Sequence, residues 1–195
     1  MAIYKLGDHI PVVDPQAYVH PTAVLIGDVI VGAGVYVGPC AVLRGDFGRI
    51  QLDTGSNLQD TCVMHAFPDK DCVVKTNGHI GHGAILHGCV VGENALIGMN
   101  SVVMDDACVA AESIVAACSF VPAGFTCPER SLVMGTPAKV KRSLSEDEVK
   151  WKTQGTGEYQ SLTRRSIQEL TEVEALTSVQ PNRPRVRVSD YAPKK

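Results

Sequence analysis

The chain has 195 residues, with 18 Lys and Arg against 21 Asp and Glu, and its formal net charge is −3. This balance excludes the strongly basic surface typical of nucleic-acid-binding proteins, and 45% hydrophobic residues exclude a disordered chain. The sequence has no apolar run long enough to span a membrane and no apolar signal segment after Met1. We therefore expect a cytoplasmic globular protein that binds neither nucleic acid nor membranes.

The seven cysteines occur mostly within runs rich in valine and isoleucine, and no two of them have CxxC spacing. This pattern indicates buried, reduced thiols in a cytosolic protein. A catalytic thiol is the alternative. Cys62 and Cys89 are its candidates, because they flank a cluster of histidines.

Aliphatic residues recur at every sixth position through the first two thirds of the chain. The series are Val19, Leu25, Val31, Val37 and Leu43, then Leu52, Leu58 and Met64, and finally Val91, Ile97, Val103, Val109, Val115 and Val121. A period of six is neither helical nor that of a simple strand. Three such units make one coil of a triangular prism, with the aliphatic side chains stacked inside. We predict an all-β solenoid, a left-handed parallel β-helix of hexapeptide repeats, over residues 1–137.

Two segments depart from the repeat. Residues 66–78 are predicted to form a loop outside the coil, because the gap between Met64 and Ile80 is too long for one corner. Residues 138–178 are predicted to be helical: Ser145 and Glu148 have capping-box spacing, and Gly155 and Gly157 divide the segment into helices near 145–154 and 158–176. Residues 179–195, rich in proline and basic residues, are predicted to form an extended or disordered tail.

Four of the six histidines lie within 23 residues, at positions 65, 79, 82 and 87. Three histidines and a water form a common catalytic zinc site. His82 and His87 are five residues apart, whereas six residues lead to the next face of the prism, so their rings should diverge. If they bind one metal ion, two neighbouring prisms must contribute, one with His82 and the other with His65 and His87. The metal hypothesis therefore predicts a homotrimer with metal sites at its interfaces.

Further polar residues surround this cluster in sequence. Arg44, Asp46, Asn57, Gln59 and Asp60 are unsuited to the prism interior, so we expect them on an outer face. An arginine between two carboxylates forms strong charge-assisted bonds, which would either lock subunits together without a catalytic part or orient metal ligands.

The set Arg44-Gly-Asp46, Asn57-x-Gln59-Asp60, His65 and His82-x4-His87-Gly88 resembles the signature of the γ-class carbonic anhydrase-like family, especially its phenylacetate-degradation branch. The resemblance covers nearly the whole chain. It implies a left-handed β-helix trimer and a Zn²⁺ ion, or Fe²⁺ or Co²⁺, held by His65 and His87 of one subunit and His82 of the next. It also implies that Arg44 and Asp60 form an interfacial ion pair with Asp46, and that Gln59 orients the metal-bound water.

Two positions depart from the family prototype. Phe47 and Pro68 stand where the prototype has glutamates proposed to shuttle protons, and neither side chain carries a proton. Rapid CO₂ hydration needs proton export, and acyl hydrolysis needs it far less. The resemblance to the phenylacetate-degradation branch then implies a metal-dependent thioesterase that cleaves CoA thioesters of phenylacetate and aromatic-acid degradation, and we predict this activity through metal-bound hydroxide. Asn57 and, on the C-terminal helix, Tyr159 are candidate catalytic contacts, although Tyr159 is equally a candidate for helix packing.

Three other functions fit the same pattern. A γ-class carbonic anhydrase would act on CO₂ or bicarbonate. A hexapeptide acyltransferase would share the solenoid and the trimer but typically needs one catalytic histidine and no metal triad. A non-catalytic accessory protein would keep only the fold.

Overall fold

The computed structural model describes residues 1–186, 189, 191 and 192. Its main body is a solenoid of short parallel strands that wind around three flat faces, and one C-terminal helix packs along it. The prediction of a left-handed parallel β-helix is confirmed.

Each face of the prism is a ladder of parallel strands. The first face contains β1 (Ala2–Tyr4), the beginnings of β4 (Val24–Val31) and β6 (Val42–Leu52), β8 (Val63–His65), β11 (Ile85–His87), β14 (Val102–Val103) and β17 (Phe120–Val121). The second face contains β2 (Val12–Val13), the ends of β4 and β6, β9 (Cys72–Val74), β12 (Val90–Val91) and β15 (Cys108–Val109).

The third face is the one that the helix covers. It contains β3 (Tyr18–Val19), β5 (Tyr36–Val37), β7 (Asn57–Leu58), β10 (His79–Ile80), β13 (Leu96–Ile97), β16 (Ile114–Val115) and β18 (Ser131–Gly135). An antiparallel strand, β19 (Ala138–Ser143), pairs with β18 and leads into α1 (Glu146–Glu169). Helix α1 contacts β3, β5 and β7.

The six-residue repeat produces one column of buried side chains inside each face. On the first face the column is Leu25, Leu43, Met64, Leu86, Val103 and Val121, each fully buried. The corners turn through residues with positive φ, such as Asn77 at 58° and Asn100 at 56°, a conformation that asparagine tolerates better than most side chains. The core therefore consists of stacked aliphatic residues, and each outward position is free for polar chemistry.

The structure corrects two predicted segments. The loop predicted over 66–78 is shorter, because Cys72–Val74 rejoins the second face as β9 between β6 and β12. The segment 138–178 begins with a strand and contains one helix rather than two. Gly155 lies within that helix, and the Tyr191 ring packs where a Cβ at Gly155 would be.

Helix α1 begins where the sequence predicts it. The Ser145 hydroxyl accepts from the Glu148 N–H while the Glu148 carboxylate accepts from the Ser145 N–H, which completes a capping box. Arg142 also binds this carboxylate through two nitrogens, and its hydrogen bond contributes most to lowering the pKa of Glu148 to about 2.

The tail after α1 has no regular structure over residues 170–186. Near its end, Tyr191 stacks on Trp151 with 5.7 Å between ring centroids, and the Trp151 indole N–H donates to the Ala192 carbonyl at 3.0 Å. The tail prediction for Arg187, Val188, Asp190 and residues 193–195 lies outside the described residues.

Candidate active site

The predicted functional residues separate into two groups on different corners of the prism. The first, which we call the His82 group, lies where the third face turns into the first. Within it the His82 Nδ1 atom lies 2.9 Å from Asp60 Oδ2, and the two side chains are 45% and 43% exposed. Because Asp60 and His82 occupy the same corner one coil apart, the solenoid repeat itself brings the imidazole onto the carboxylate.

Helix α1 completes the His82 group with Tyr159. The Tyr159 hydroxyl lies 3.4 Å from His82 Nε2. The Tyr159 ring makes edge contacts with Tyr36 and His79, at centroid distances of 5.4 and 5.3 Å. Burial, with a smaller contribution from the Asp60 charge, raises the pKa of Tyr159, so the phenol stays protonated.

A buried polar chain runs beside this dyad, beneath α1. The Gln59 amide N–H₂ donates to Asn57 Oδ1 at 3.0 Å and to His79 Nε2 at 2.8 Å. The other His79 nitrogen, Nδ1, lies 3.4 Å from the Thr156 hydroxyl. Asn57 is fully buried, and its Nδ2 has no hydrogen-bond partner among the described residues. Sequence reasoning named Asn57 and Gln59 but assigned His79 no role, although the repeat aligns His79 with Asn57 on adjacent strands.

The second group, the His65–His87 group, lies where the first face turns into the second. His65 Nδ1 and His87 Nε2 are 3.1 Å apart. Their other ring nitrogens bind carboxylates: His65 Nε2 lies 3.0 Å from Asp46, and His87 Nδ1 lies 2.6 Å from Asp105. Asp105 was not among the predicted site residues, because nothing in its local sequence distinguishes it from other corner aspartates.

The predicted ion pair has a different arrangement within one chain. Arg44 lies 3.0 Å from His65 Nε2, and its Nε is 3.7 Å from Asp46. Asp60 contacts His82 instead, on the other corner. The pairing of Arg44 and Asp60 between subunits stays a prediction.

The three histidines predicted as metal ligands do not meet within one chain. Among the described residues there is no cluster of three or more His, Cys, Asp or Glu side chains arranged to hold a metal ion. His65 and His87 would supply two imidazoles whose outer nitrogens are bound by carboxylates, the usual environment of ligating histidines. His82 would have to come from a second chain. The metal and the homotrimer therefore stay predictions.

The prediction of buried thiols holds for only three of the seven cysteines, because Cys40, Cys108 and Cys118 are exposed and Cys127 is half-buried. Cys62 and Cys89 are buried free thiols. Burial raises the pKa of Cys62 to about 11, and a hydrogen bond with Cys72, together with burial, raises that of Cys89. A thiol with a raised pKa is a poor nucleophile at neutral pH, so the alternative of a catalytic cysteine has no support.

Two cavities lie along α1. One of about 430 Å³ opens beside Tyr159 and is lined also by Glu158, Ser161, Leu162 and Arg165. The other, of about 550 Å³, lies near Gly55 and Gln160 and has neither an imidazole nor a carboxylate in its lining. Of the two cavities, the one beside Tyr159 is therefore the one whose lining includes a residue that contacts His82. None of the helices in the described part of the chain is long and apolar enough to cross a membrane.

The chain has close sequence relatives among known proteins. The chain is 58% identical over 195 residues to the carnitine operon protein CaiE of Salmonella agona, covering 100% of this chain and 98% of the relative. It is 57% identical to CaiE of Escherichia coli, with both chains fully covered. No family model matches the chain.

Two solved structures share both the fold and appreciable sequence identity. A candidate acetyltransferase from Bacillus cereus is 30% identical, with a TM-score of 0.83, and covers 86% of this chain and 98% of its own. A hexapeptide transferase family protein from Anaplasma phagocytophilum is 35% identical, with a TM-score of 0.80. The match covers 84% of this chain and 96% of the Anaplasma chain.

These comparisons overturn the predicted function. The structural relatives are named as transferases, not as metal-dependent hydrolases, so the prediction of a metal-dependent thioesterase in phenylacetate degradation is wrong. The closer resemblance to γ-class carbonic anhydrases and their phenylacetate branch is not confirmed. The correction rests on the transferase names of these relatives, because the division of the histidines between two corners of one chain is also what a metal site between subunits would show. By its identity and coverage, the chain belongs to the CaiE family of hexapeptide-repeat proteins.

Proposed function

We propose that the protein is an acyltransferase that moves an acyl group from a CoA thioester to a hydroxyl or amine of a small molecule, with His82 as the general base. One observation carries the proposal. The Nδ1 of His82 is held by Asp60, whereas the one contact of its Nε2 within the described part of the chain is the Tyr159 hydroxyl, at 3.4 Å, and the side chain is 45% exposed. The transferase names of the two solved structures that are 30% and 35% identical to this chain support it.

His82 is a better base than His87. A general base needs one ring nitrogen anchored and the other free to reach the substrate. In His87 both nitrogens are engaged, Nδ1 by Asp105 and Nε2 by His65. In His82, among the residues that the structure describes, Nδ1 alone has a contact shorter than 3.4 Å.

The proposed step moves one proton and exchanges one bond. The acceptor's oxygen or nitrogen attacks the thioester carbonyl carbon as its proton passes to His82 Nε2. The tetrahedral intermediate then collapses, the carbon–sulfur bond breaks, and the thiolate takes the proton back from the imidazolium. The products are the acylated acceptor and free CoA. The Asp60 carboxylate stabilises the transient positive charge on the imidazole.

Helix α1 supplies groups that suit an acyl-CoA. The protonated Tyr159 hydroxyl beside His82 is a donor for the oxyanion of the intermediate. In the cavity beside Tyr159, Leu162 offers an apolar wall, and the Arg165 guanidinium would bind phosphate oxygens of the donor.

The test measures release of free thiol from acetyl-CoA and longer acyl-CoAs, with and without a panel of amines and alcohols. The panel includes carnitine, because the close relatives are named for a carnitine operon. We expect release that requires an acceptor and falls about 100-fold or more in His82→Gln. The control is His20→Gln, since His20 contacts Thr22 outside both groups. Thiol release that needs no acceptor, or an unaffected His82→Gln variant, would refute the proposal.

The three-histidine metal site competes with this function. If His82 of one chain completes a site with His65 and His87 of another, its lone pair binds the metal and cannot accept a proton. Metal content and oligomeric mass of the purified protein, measured for wild type and His82→Gln, decide between the two. A trimer whose stoichiometric metal is lost in the variant would remove His82 from the role of base.

A further inference from the structure

His79 projects from the third face towards α1, in the column between Asn57 and Leu96. Its ring has protein contacts on both nitrogens and one edge: Gln59 at Nε2, Thr156 at Nδ1 and the Tyr159 ring. It therefore joins the solenoid to the helix directly beside the His82 group.

The contacts determine which nitrogen carries the proton. The Gln59 amide nitrogen can only donate, so His79 Nε2 must present a lone pair. The proton then resides on Nδ1, which donates to the Thr156 hydroxyl oxygen. A doubly protonated ring could not accept from Gln59. Burial, followed by the charges of Lys152 and His82, lowers the pKa of His79 and keeps the ring neutral.

The same contacts determine how Gln59 is oriented. Its two amide protons are directed to Asn57 and His79. Within the described residues, no hydrogen bond holds its carbonyl oxygen. Gln59 immediately precedes Asp60, the residue that anchors His82. Gln59 is 3% exposed overall, and its carbonyl oxygen is thereby left as a hydrogen-bond acceptor one residue from the aspartate that anchors the proposed base.

We propose that His79 is a positioning residue, which fixes the Gln59 amide so that its carbonyl oxygen orients the acceptor substrate beside His82. If His79 were replaced by a group that cannot accept, the amide would be free to rotate and could present its N–H₂ instead. A donor in that place would no longer attract the hydroxyl or amine that must be deprotonated. The proposal rests on the proposed acyl transfer, but its central claim, the tautomer of His79, does not.

The first experiment reads the tautomer without any measurement of activity. The protein is labelled with ¹⁵N-histidine, and long-range ¹H–¹⁵N correlations assign the His79 nitrogens by comparison with His79→Gln. We expect a protonated Nδ1 and an unprotonated Nε2 at neutral pH. A protonated Nε2 would overturn the proposal, whatever the enzyme does.

The second experiment compares two variants at this position. His79→Gln places an acceptor oxygen near the former Nε2, whereas His79→Phe keeps a ring against Tyr159 but removes the acceptor. We expect kcat to fall about tenfold or more in His79→Phe, with an unchanged thioester KM and an unshifted pH profile, because misorientation alone slows catalysis. His79→Gln should recover most of this loss, and His20→Phe is the matched control.

The outcomes separate the two proposals. Equal losses in both His79 variants, or a loss that follows thermal stability, would mean that His79 only supports the fold. If the wild-type protein transfers no acyl group to any acceptor while Nδ1 is protonated, the proposed function fails and the His79–Gln59 contact remains. Full activity in His79→Phe would refute the positioning role.

Discussion

The Nδ1 of His82 lies 2.9 Å from the Oδ2 of Asp60, although 22 positions separate them in the chain. Both residues occupy the same corner of successive coils, so the stacking of the solenoid creates the pair. A carboxylate in this position holds one tautomer of the imidazole and directs Nε2 outwards. The predictions below test this pair and the structure that supports it.

Replacing Asp60 by Asn should lower the rate of acyl transfer about 100-fold, because the amide can stabilise the wrong tautomer and cannot balance the imidazolium charge. The measurement is kcat/KM for thiol release with the best acceptor. Asp105→Asn removes the equivalent bond at His87 and should have a much smaller effect. Similar losses in both variants would contradict the assignment of the chemistry to the His82 group.

Leu86→Ala should lower the free energy of unfolding by about 2–5 kcal/mol, because removing this fully buried side chain leaves a cavity in the prism. The adjacent Ile85 points outwards and is 42% exposed, so Ile85→Ala should cost much less in the isolated chain. Urea unfolding of the two alanine variants measures the difference. Equal free energies of unfolding for Leu86→Ala and Ile85→Ala would show that the inward side chains do not form the stabilising core.

Lys152 attaches helix α1 to the third face. It is 1% exposed, and its ammonium donates to the Asn77 carbonyl and to Asn94 Oδ1, both at 2.7 Å. Replacing it by Met leaves two acceptors without this donor and should lower the free energy of unfolding by about 1–3 kcal/mol. Lys150→Met, on the exposed side of the same helix, is the control and should change stability little.

The Lys152 amine should also make stability depend on alkaline pH. Burial lowers its pKa to about 7, whereas the pKa of a lysine in the unfolded chain is about 10.4. Between these values the unfolded chain binds more protons at this group, so its contribution to stability rises with pH. The stability of wild type relative to Lys152→Met should therefore increase from pH 7 to pH 10. A constant difference would show that the folded amine keeps an ordinary pKa.

His79 should make the fold sensitive to acid. Burial lowers its pKa to about 3, while the pKa of a histidine in the unfolded chain is about 6.5. As pH falls through this window, protons bind the unfolded chain first and stability is lost. Thermal unfolding of His79→Gln should show a shallower decline from pH 6.5 to pH 4 than the wild type does. If the unfolding temperatures of the two proteins fell in parallel with pH, residues other than His79 would cause the acid sensitivity.

The sequence alone determined the solenoid and the start of the helix, because both depend on local spacing. A large aliphatic residue at every sixth position can be buried only if each coil stacks on the next, and this stacking defined the inward columns from Leu25 to Val121. The capping box at Ser145 and Glu148 is equally local. Asn57, Gln59 and Asp60 could likewise be assigned to outward positions of the prism, since their polar side chains do not suit its interior. The burial of Asn57 and Gln59 beneath α1 could not be read from the sequence.

Only the tertiary structure decided which of these residues act together. His82 and His87 are close in sequence, yet the corner between them directs one ring to Asp60 and the other to His65. Tyr159 reaches His82 because α1 remains continuous through Gly155 and packs on the third face, and His79 obtains its partners from the same packing. These contacts join distant segments through close packing and burial, which no local pattern of residues encodes.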